Sequence, residues 1–501
     1  MPCFRRGPGG CEPWRKARDE AVTAVAKAAG LEVQSFAANV LYEPWELQAI
    51  ERWQRWRARV RAEEAAKRGL DSSNAGHSGR PKELEHVSGF GSYRFFTHAL
   101  EELGLPPKPV ATVGRLPAFP AGLLGPSLTN NNSNNSNSSN NSNNNNNGRE
   151  ASAGDWAKEL RKWWRFGEAA ALERMQQFLQ EVLASGDFEG RQRLVASKKN
   201  TSELSPYIRF GELSARTVYW SARQRSERTR QCLFKAAKAN STFLRRFVWR
   251  DLAYWFLWEF PSMPATSMRV QYETQEWIGT SSQLKSWQHG TTGFPLVDAA
   301  MRQLWAVGWM PNYLRHVVAQ TLIEYLDITW KEGMAWFDWT LVDADIAINS
   351  FLWQNGGHSG PDQWEFVLHP VHAAKSCDPD GSYVRRWLPC LAGLPTEYIH
   401  RPWECPARLV AGRQLFCQYP NRVLLDLDAA RRAHARRVIE VRRKHPEMVA
   451  RTGHEWLKLP GKKGLLAKVV TRQEFRAETE DFIYYQGPAR SEQQQQSKQQ
   501  E

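Results

Sequence analysis

The sequence predicts a mainly α fold, in which a long all-helical domain follows a short α/β segment. Three observations carry that expectation. The 501 residues exceed what one core usually holds, which argues for more than one domain. From residue 155 to about 482 runs one aromatic, helix-rich block without a glycine-rich strand pattern. Ahead of it, residues 129–148 are almost pure Asn and Ser, a tract that buries nothing and reads as a disordered linker. The expected organisation is therefore an α/β segment with a helical insertion over 1–125, a linker over 126–150, a helical domain over 151–485 and a polar Gln-rich tail over 486–501.

The elements follow in chain order. Residues 12–30 combine helix formers with a closing Gly30, which predicts a helix ended by glycine. LEVQSF at 31–36 alternates enough for a short strand. Residues 44–70, dense in Glu, Arg and Ala around Trp45, Trp53 and Trp56, predict a long charged helix with a solvated face. GFGSYR at 89–94 lacks the third glycine of a nucleotide-binding loop and reads as a turn. The stretch 291–326 predicts two amphipathic helices broken at Pro311, and 330–355 continues the helical pattern.

Composition narrows the function classes. Hydrophobic residues at 42% and charged residues at 24% exclude a fully disordered or collagen-like chain. No stretch reaches the roughly 18 uninterrupted apolar residues of a membrane helix, so no membrane partner is expected. Arg5, Arg6, Arg15 and Lys16 precede no apolar segment, which argues against a secretory leader. Seven dispersed cysteines without a C-x-x-C pair suggest free thiols in a reducing compartment. The formal charge of +14 attracts polyanions, nucleic acid first among them, although a basic surface also serves solubility. The 23 tryptophans offer core volume, stacking platforms and electron donors.

Three segments hold the candidate chemistry. Asp345, Asn349 and Trp353 recur at i, i+4 and i+8, one stripe of a helix. Buried Asp and Asn cost a few kcal/mol unless partnered, and a ligand rich in ring nitrogens and hydroxyls would partner them. A capping Asp343 with a solvated Asp345 explains the same spacing equally well. KKNTSELSPYIRFGELS at 198–214 places Thr201, Ser202 and Ser205 before a helix start, a phosphate-binding pattern or simply good capping. RRFVWRDLAYWFLWEF at 245–260 is an aromatic helix containing Trp249, Arg250 and Asp251.

Together these segments resemble the FAD-binding domain of the photolyase/cryptochrome family. The resemblance covers nearly all of 155–405 through ordered motifs: T-S-x-L-S-P, F-x-W-R-D, T-G-F-P-L-V-D-A-A-M-R-Q-L, G-W-M-x-N-x-L-R, D-A-D-x-A-x-N and Y-V-R-R-W-L-P. It implies FAD as cofactor, with Thr201, Ser202, Leu204 and Ser205 at the phosphates and Arg250 and Asn312 also in contact. It implies that Arg315 pairs with the carboxylates, that Asp343 and Asp345 meet the ribityl and isoalloxazine edge, and that Asn349 faces the flavin. Phe188 stands where the family often has a Tyr upstream of the phosphate motif. The family's electron-transfer chain maps to Trp353 beside the flavin, then Trp330, then Trp287 near the surface, while core packing is expected for Trp305, Trp336 and Trp339.

The sequence departs from the family in two places. Enzymes of the family that repair cyclobutane dimers carry a Glu, two stacking Trp and a Met above the flavin. Here those positions are Arg246, Trp249, Asn355 and His316. Arg246 accepts no hydrogen bonds, and a lost Trp removes roughly 1–3 kcal/mol of base stacking. His316 matches one of two histidines of (6-4) photolyases, the other position being Asn312. The balance tilts toward a cryptochrome-type receptor with a signalling partner and DNA affinity. A DNA photolyase is the alternative, and a flavin-free basic nucleic-acid binder a third reading.

The second departure is that 12–124 resembles only the last helix and strand of the family's Rossmann-like antenna domain, with its exit at 92–109, a truncated remnant. No antenna chromophore is claimed. Cys377, Cys390, Cys405 and Cys417 are spaced too widely to suggest an iron–sulfur cluster, and no metal site is predicted.

Overall fold

The computed structural model describes residues 40–67, 90–109, 157–184, 188, 191–225, 242–410, 419–450, 452–460 and 466–476, with scattered positions between 20 and 28. The expected strand at 31–36, the Asn/Ser linker and the Gln-rich tail lie outside the described residues.

The described chain is mainly helical. Helix α1 (Ala49–Lys67) follows a short turn at Pro44–Leu47 that Gln48 ends in the left-handed region. Helix α2 (Tyr93–Glu101) is started by Ser92, whose hydroxyl accepts from Phe95 N at 3.2 Å, so the glycine-containing turn serves as a cap. Although α1 is highly charged, it is not solvated all round: Ile50 and Trp53 are buried, and Trp53 meets Phe95 with ring centroids 5.7 Å apart.

The large helical body follows. It contains α3 (Glu168–Phe178), α4 (Ser205–Phe210), α5 (Ala215–Arg225), α6 (Thr242–Glu259), α7 (Ser281–His289), α8 (Pro295–Val307), α9 (Asn312–Gln320), α10 (Trp330–Thr340), α11 (Ile346–Gly356) and α12 (Leu427–Lys444). The break expected at Pro311 is present: Gly308 closes α8 at φ +66°, and Pro311 immediately precedes α9. Beyond α9 the backbone widens into a π-helical turn at Thr321–Tyr325.

One antiparallel hairpin was not foreseen within the helical block: β1 (Glu455–Lys458) pairs with β2 (Leu466–Val469), Glu455 opposite Val469. Phe90 forms a parallel bridge to Val469, which joins the amino-terminal segment to this hairpin.

Among the described residues, two large apolar clusters fill most of the body, beside two small ones. One unites residues 40–53 and 90–100 with α3, α5 and α6 and extends to the hairpin; the other gathers α7 to α10 with Trp353 of α11. The amino-terminal segment thus shares a core with the helical domain. Among its described residues the secondary structure is helical apart from the Phe90 bridge. A polar anchor reinforces the joint: Leu41 N and Tyr42 N both donate to the buried Asp251 carboxylate at 3.0 Å. Packing positions α11 between α6 and α10, and that arrangement creates the site.

Candidate functional site

A cavity of about 620 Å³ opens between the segment leading into α4, one stripe of α6, the start of α9 and the start of α11. On α6, Arg246, Trp249, Arg250 and Ala253 recur at helical spacing and line it together. Thr201, Ser202, Leu204 and Ser205 line one end, and Asn312, Arg315, Asp343, Asp345 and Asn349 line another part of the wall. Phe243, Phe247, Trp309, Met310, Phe351 and Leu352 supply apolar wall.

The hydroxyl-rich end is held by a residue the motif does not contain. Arg174 of α3 donates from Nε to Ser202 O at 3.0 Å and from a terminal nitrogen to Thr201 O at 2.9 Å. Glu203, the next residue, has φ +53° and pairs with Arg174 at 3.3 Å; burial pushes its carboxyl above the usual range despite Arg174.

The polar wall is built from paired charges. Asp345 is the N-cap of α11, its Oδ1 accepting from Ile348 N at 3.2 Å, so it heads the helix rather than sitting within it. Its Oδ2 receives Arg250 at 2.9 Å and the Tyr254 hydroxyl at 2.7 Å. Tyr254 escaped sequence reasoning, though its place four residues after Arg250 was a signal. Arg315 donates to Asp343 Oδ2 at 2.8 Å, the carboxylate pairing that the family resemblance implied. Asn349 Nδ2 donates to Asp338 Oδ1 at 2.6 Å, leaving the amide oxygen as an acceptor. Asp338 was not foreseen; burial raises its carboxyl's pKa, and the bond from Asn349 opposes that shift.

Two polar atoms of the wall lack protein partners. Asp343 Oδ1 and His316 Nδ1 are buried without a hydrogen bond. An orphaned buried acceptor costs about 1–3 kcal/mol, which a ligand bearing N–H or O–H groups would recover. Hydroxyls at one end, carboxylate and amide acceptors elsewhere and apolar rings between them suit a flavin dinucleotide.

The mouth differs in charge. Arg246 reaches solvent there, and close packing with Arg193 and Arg245 nearby lowers its pKa to about 10. Trp249 lies 5.8 Å from the Tyr93 ring and 6.3 Å from Phe351. His316 packs 4.5 Å from the Trp364 ring; its enclosure, then Arg246 and Arg315, push its pKa to about 4. Asn355 is not on the cavity wall: it is buried beside Gly360, its Oδ1 accepting from Asp362 N at 3.2 Å.

The tryptophans need two corrections. Trp353 sits one turn behind Asn349, with its ring 5.0 Å from Phe337 and 6.4 Å from Trp287. Trp287, expected near the surface, is 0% exposed. Its helix packs on α8, and its indole donates to Val318 O at 2.9 Å. Trp330 is also buried, its ring against Gly357 and Lys331 Nζ 5.7 Å from its centroid. Trp305 and Trp339, expected in the core, are 67% and 78% exposed, while the half-buried Trp336 stacks on Trp305 at 5.9 Å. They occupy the stripes of α8 and α10 opposite the core-facing ones, a choice that composition alone does not make.

This fold and cavity define a helical flavin-binding domain, and comparison with known proteins agrees. Residues 243–440 match the family model for the FAD binding domain of DNA photolyase. The chain is 37% identical over 285 residues to the deoxyribodipyrimidine photo-lyase of Agrobacterium fabrum, covering 56% of this chain and 58% of that protein. It is 34% identical over 284 residues to cryptochrome-2 of Arabidopsis thaliana, covering 56% and 46% respectively. A crystal structure of a bacterial class III photolyase from Agrobacterium tumefaciens aligns with a TM-score of 0.60 at 28% identity, covering 86% of this chain and 78% of that one. The chain spans about half the length of the curated relatives it matches. Over the matched region the chain is similar to photolyases and cryptochromes alike, and its cofactor is FAD. The flavin-free reading is thereby overturned.

Proposed function

We propose that this chain moves an electron to its FAD under blue light and acts as a cryptochrome-type photoreceptor with affinity for DNA. The bound flavin supplies light absorption and redox chemistry; the residues supply grip, orientation and a path. Thr201, Ser202, Leu204 and Ser205 hold the phosphates, with Arg174 fixing their backbone. Arg250, Asn312, Arg315, Asp343 and Asp345 hold the polar edge, and the Asn349 amide oxygen accepts a hydrogen bond there. Trp353 is the first donor. Trp287, enclosed and touching Trp353, widens the aromatic cluster without reaching solvent. Trp330 is the second donor, and half-buried Trp277 offers the outlet, because its loop is tied to the approach to Trp330 by Gly279 N donating to Asp327 O at 3.0 Å.

The observation that carries the receptor branch is Arg246 at the mouth, a cation among cations where lesion repair of the cyclobutane type would want a carboxylate acceptor. The neutral His316 does not favour acid catalysis near pH 7. DNA photolyase activity is the second reading. It is favoured by Trp249 on the cavity wall, by the basic mouth and by likeness to a photolyase over 285 residues. Purified chain, blue light and ultraviolet-damaged oligonucleotide separate the two. Bleaching of the oxidised flavin bands with unchanged lesions supports the receptor; restored pyrimidines overturn it.

A further inference from the structure

Away from the flavin cavity, three buried side chains from separate elements converge. Glu324 comes from the π-helical turn, His358 from the residues following α11 and His434 from the middle of α12, and each is 0% exposed. His358 Nε2 lies 3.0 Å from His434 Nε2 and 3.7 Å from Glu324 Oε1. One nitrogen or oxygen from each side chain lies within 4.8 Å of the other two. A tetrahedral ion with ligand bonds of about 2.0–2.1 Å keeps its ligands roughly 3.3 Å apart, close to the first two separations.

The surroundings prepare these atoms for a metal. His434 Nδ1 is 2.7 Å from Asp327 Oδ1, so Nδ1 carries the proton and Nε2 presents its lone pair. A carboxylate behind an imidazole in this way is the usual support of a metal-bound histidine. Glu324 Oε1 accepts from Arg472 at 2.6 Å, whereas Oε2 is buried with no hydrogen-bond partner. His358 Nδ1 is likewise unpartnered, and His358 adopts φ +68°, which non-glycine residues rarely do. The neighbouring cations are compensated: Arg472 also binds Glu474 at 2.7 Å, and Arg437 pairs with Asp327. Without an ion, one histidine must donate to the other while Glu324 Oε2 stays dehydrated and unpaired.

We propose that Glu324, His358 and His434 bind a divalent transition metal, zinc by ligand chemistry, as a structural clasp between the π-helical turn, the end of α11 and α12. Two imidazoles and one carboxylate form a zinc ligand set, with the fourth position left for water. The intervals between residues 324, 358 and 434 follow no ligand spacing, so the cluster exists only in the fold.

The test uses the full-length untagged chain with FAD bound, stripped with chelator and titrated with zinc or cobalt. The expected result is binding near one equivalent, a tetrahedral cobalt absorption band and a melting temperature that rises with zinc. Asp327→Asn, which keeps all three ligands, should weaken zinc binding about 10–100-fold, and His434→Ala should abolish the cobalt band. Flavin absorbance, read in parallel, reports loss of fold separately. A wild-type chain that takes up less than about a tenth of an equivalent, or whose cobalt spectrum matches that of His434→Ala, overturns the proposal.

Discussion

At the scale of single residues, the site depends on charges that cannot be removed one at a time. Arg250 and Asp345 are both buried and 2.9 Å apart. Arg250→Leu leaves the Asp345 carboxylate without its cation, and a loss of about 3–5 kcal/mol is expected in urea unfolding of the flavin-free chain. His316 gives a pH signature. Its pKa falls from an ordinary 6.5 to about 4, so the unfolded chain binds the proton first as pH drops. Its contribution is therefore intact above about 6.5 and lost as pH falls through about 4. His316→Gln should flatten stability across that window; an unchanged slope would place the titration elsewhere. Most of the polar residues lining the cavity were legible in the sequence because the motifs carry them together. Tyr254, Glu203, Asp338 and Arg174 were not, since each acts through a partner that its own segment does not reveal.

At the scale of elements, close approach governs how the proposed electron donors pack. A Cβ on Gly333 of α10 would overlap the Trp353 ring, so glycine there lets α10 and α11 close on each other. Gly333→Ala should cost about 1–3 kcal/mol and slow flavin photoreduction together, measured by unfolding and by bleaching under blue light. Trp277→Phe should slow photoreduction with little change in stability, and unchanged kinetics would remove Trp277 from the path. Helix positions were readable from period and capping. Which stripe of α8 or α10 faces the core was not, because an exposed and a buried Trp look alike in sequence. The hairpin at 455–469 was missed for a similar reason: its four-residue strands are too short to show alternation.

At the scale of the whole molecule, residues 40–53 and 90–100 complete the same core as the helical body, so the two should unfold as one unit. A chain starting at residue 157 should expose that apolar face of α6 and fail to show a single cooperative transition in calorimetry. Burial lifts the Asp251 carboxyl from 3.8 to about 8 against its bonds from Leu41 and Tyr42. The unfolded chain gives up this proton first, so the contribution is full below about 3.8 and lost as pH rises through about 8. Asp251→Asn should remove that slope while keeping an acceptor for the two amides. The helical fold was evident from ordered motifs. The docking of residues 40–109 onto it was not, because the motif-bearing segments carry no record of what covers their outer face.

Arg250 and Asp251 are consecutive, so their side chains leave α6 about 100° apart. One grips Asp345 on the cavity wall; the other clasps the amides of Leu41 and Tyr42. A change of electric field at the chromophore is thus one peptide unit from the strap that seals the amino-terminal edge. Hydrogen exchange at those two amides, compared in darkness and under illumination, reads that linkage. Faster exchange in the light is the expected outcome, and identical rates would make the strap mere scaffolding.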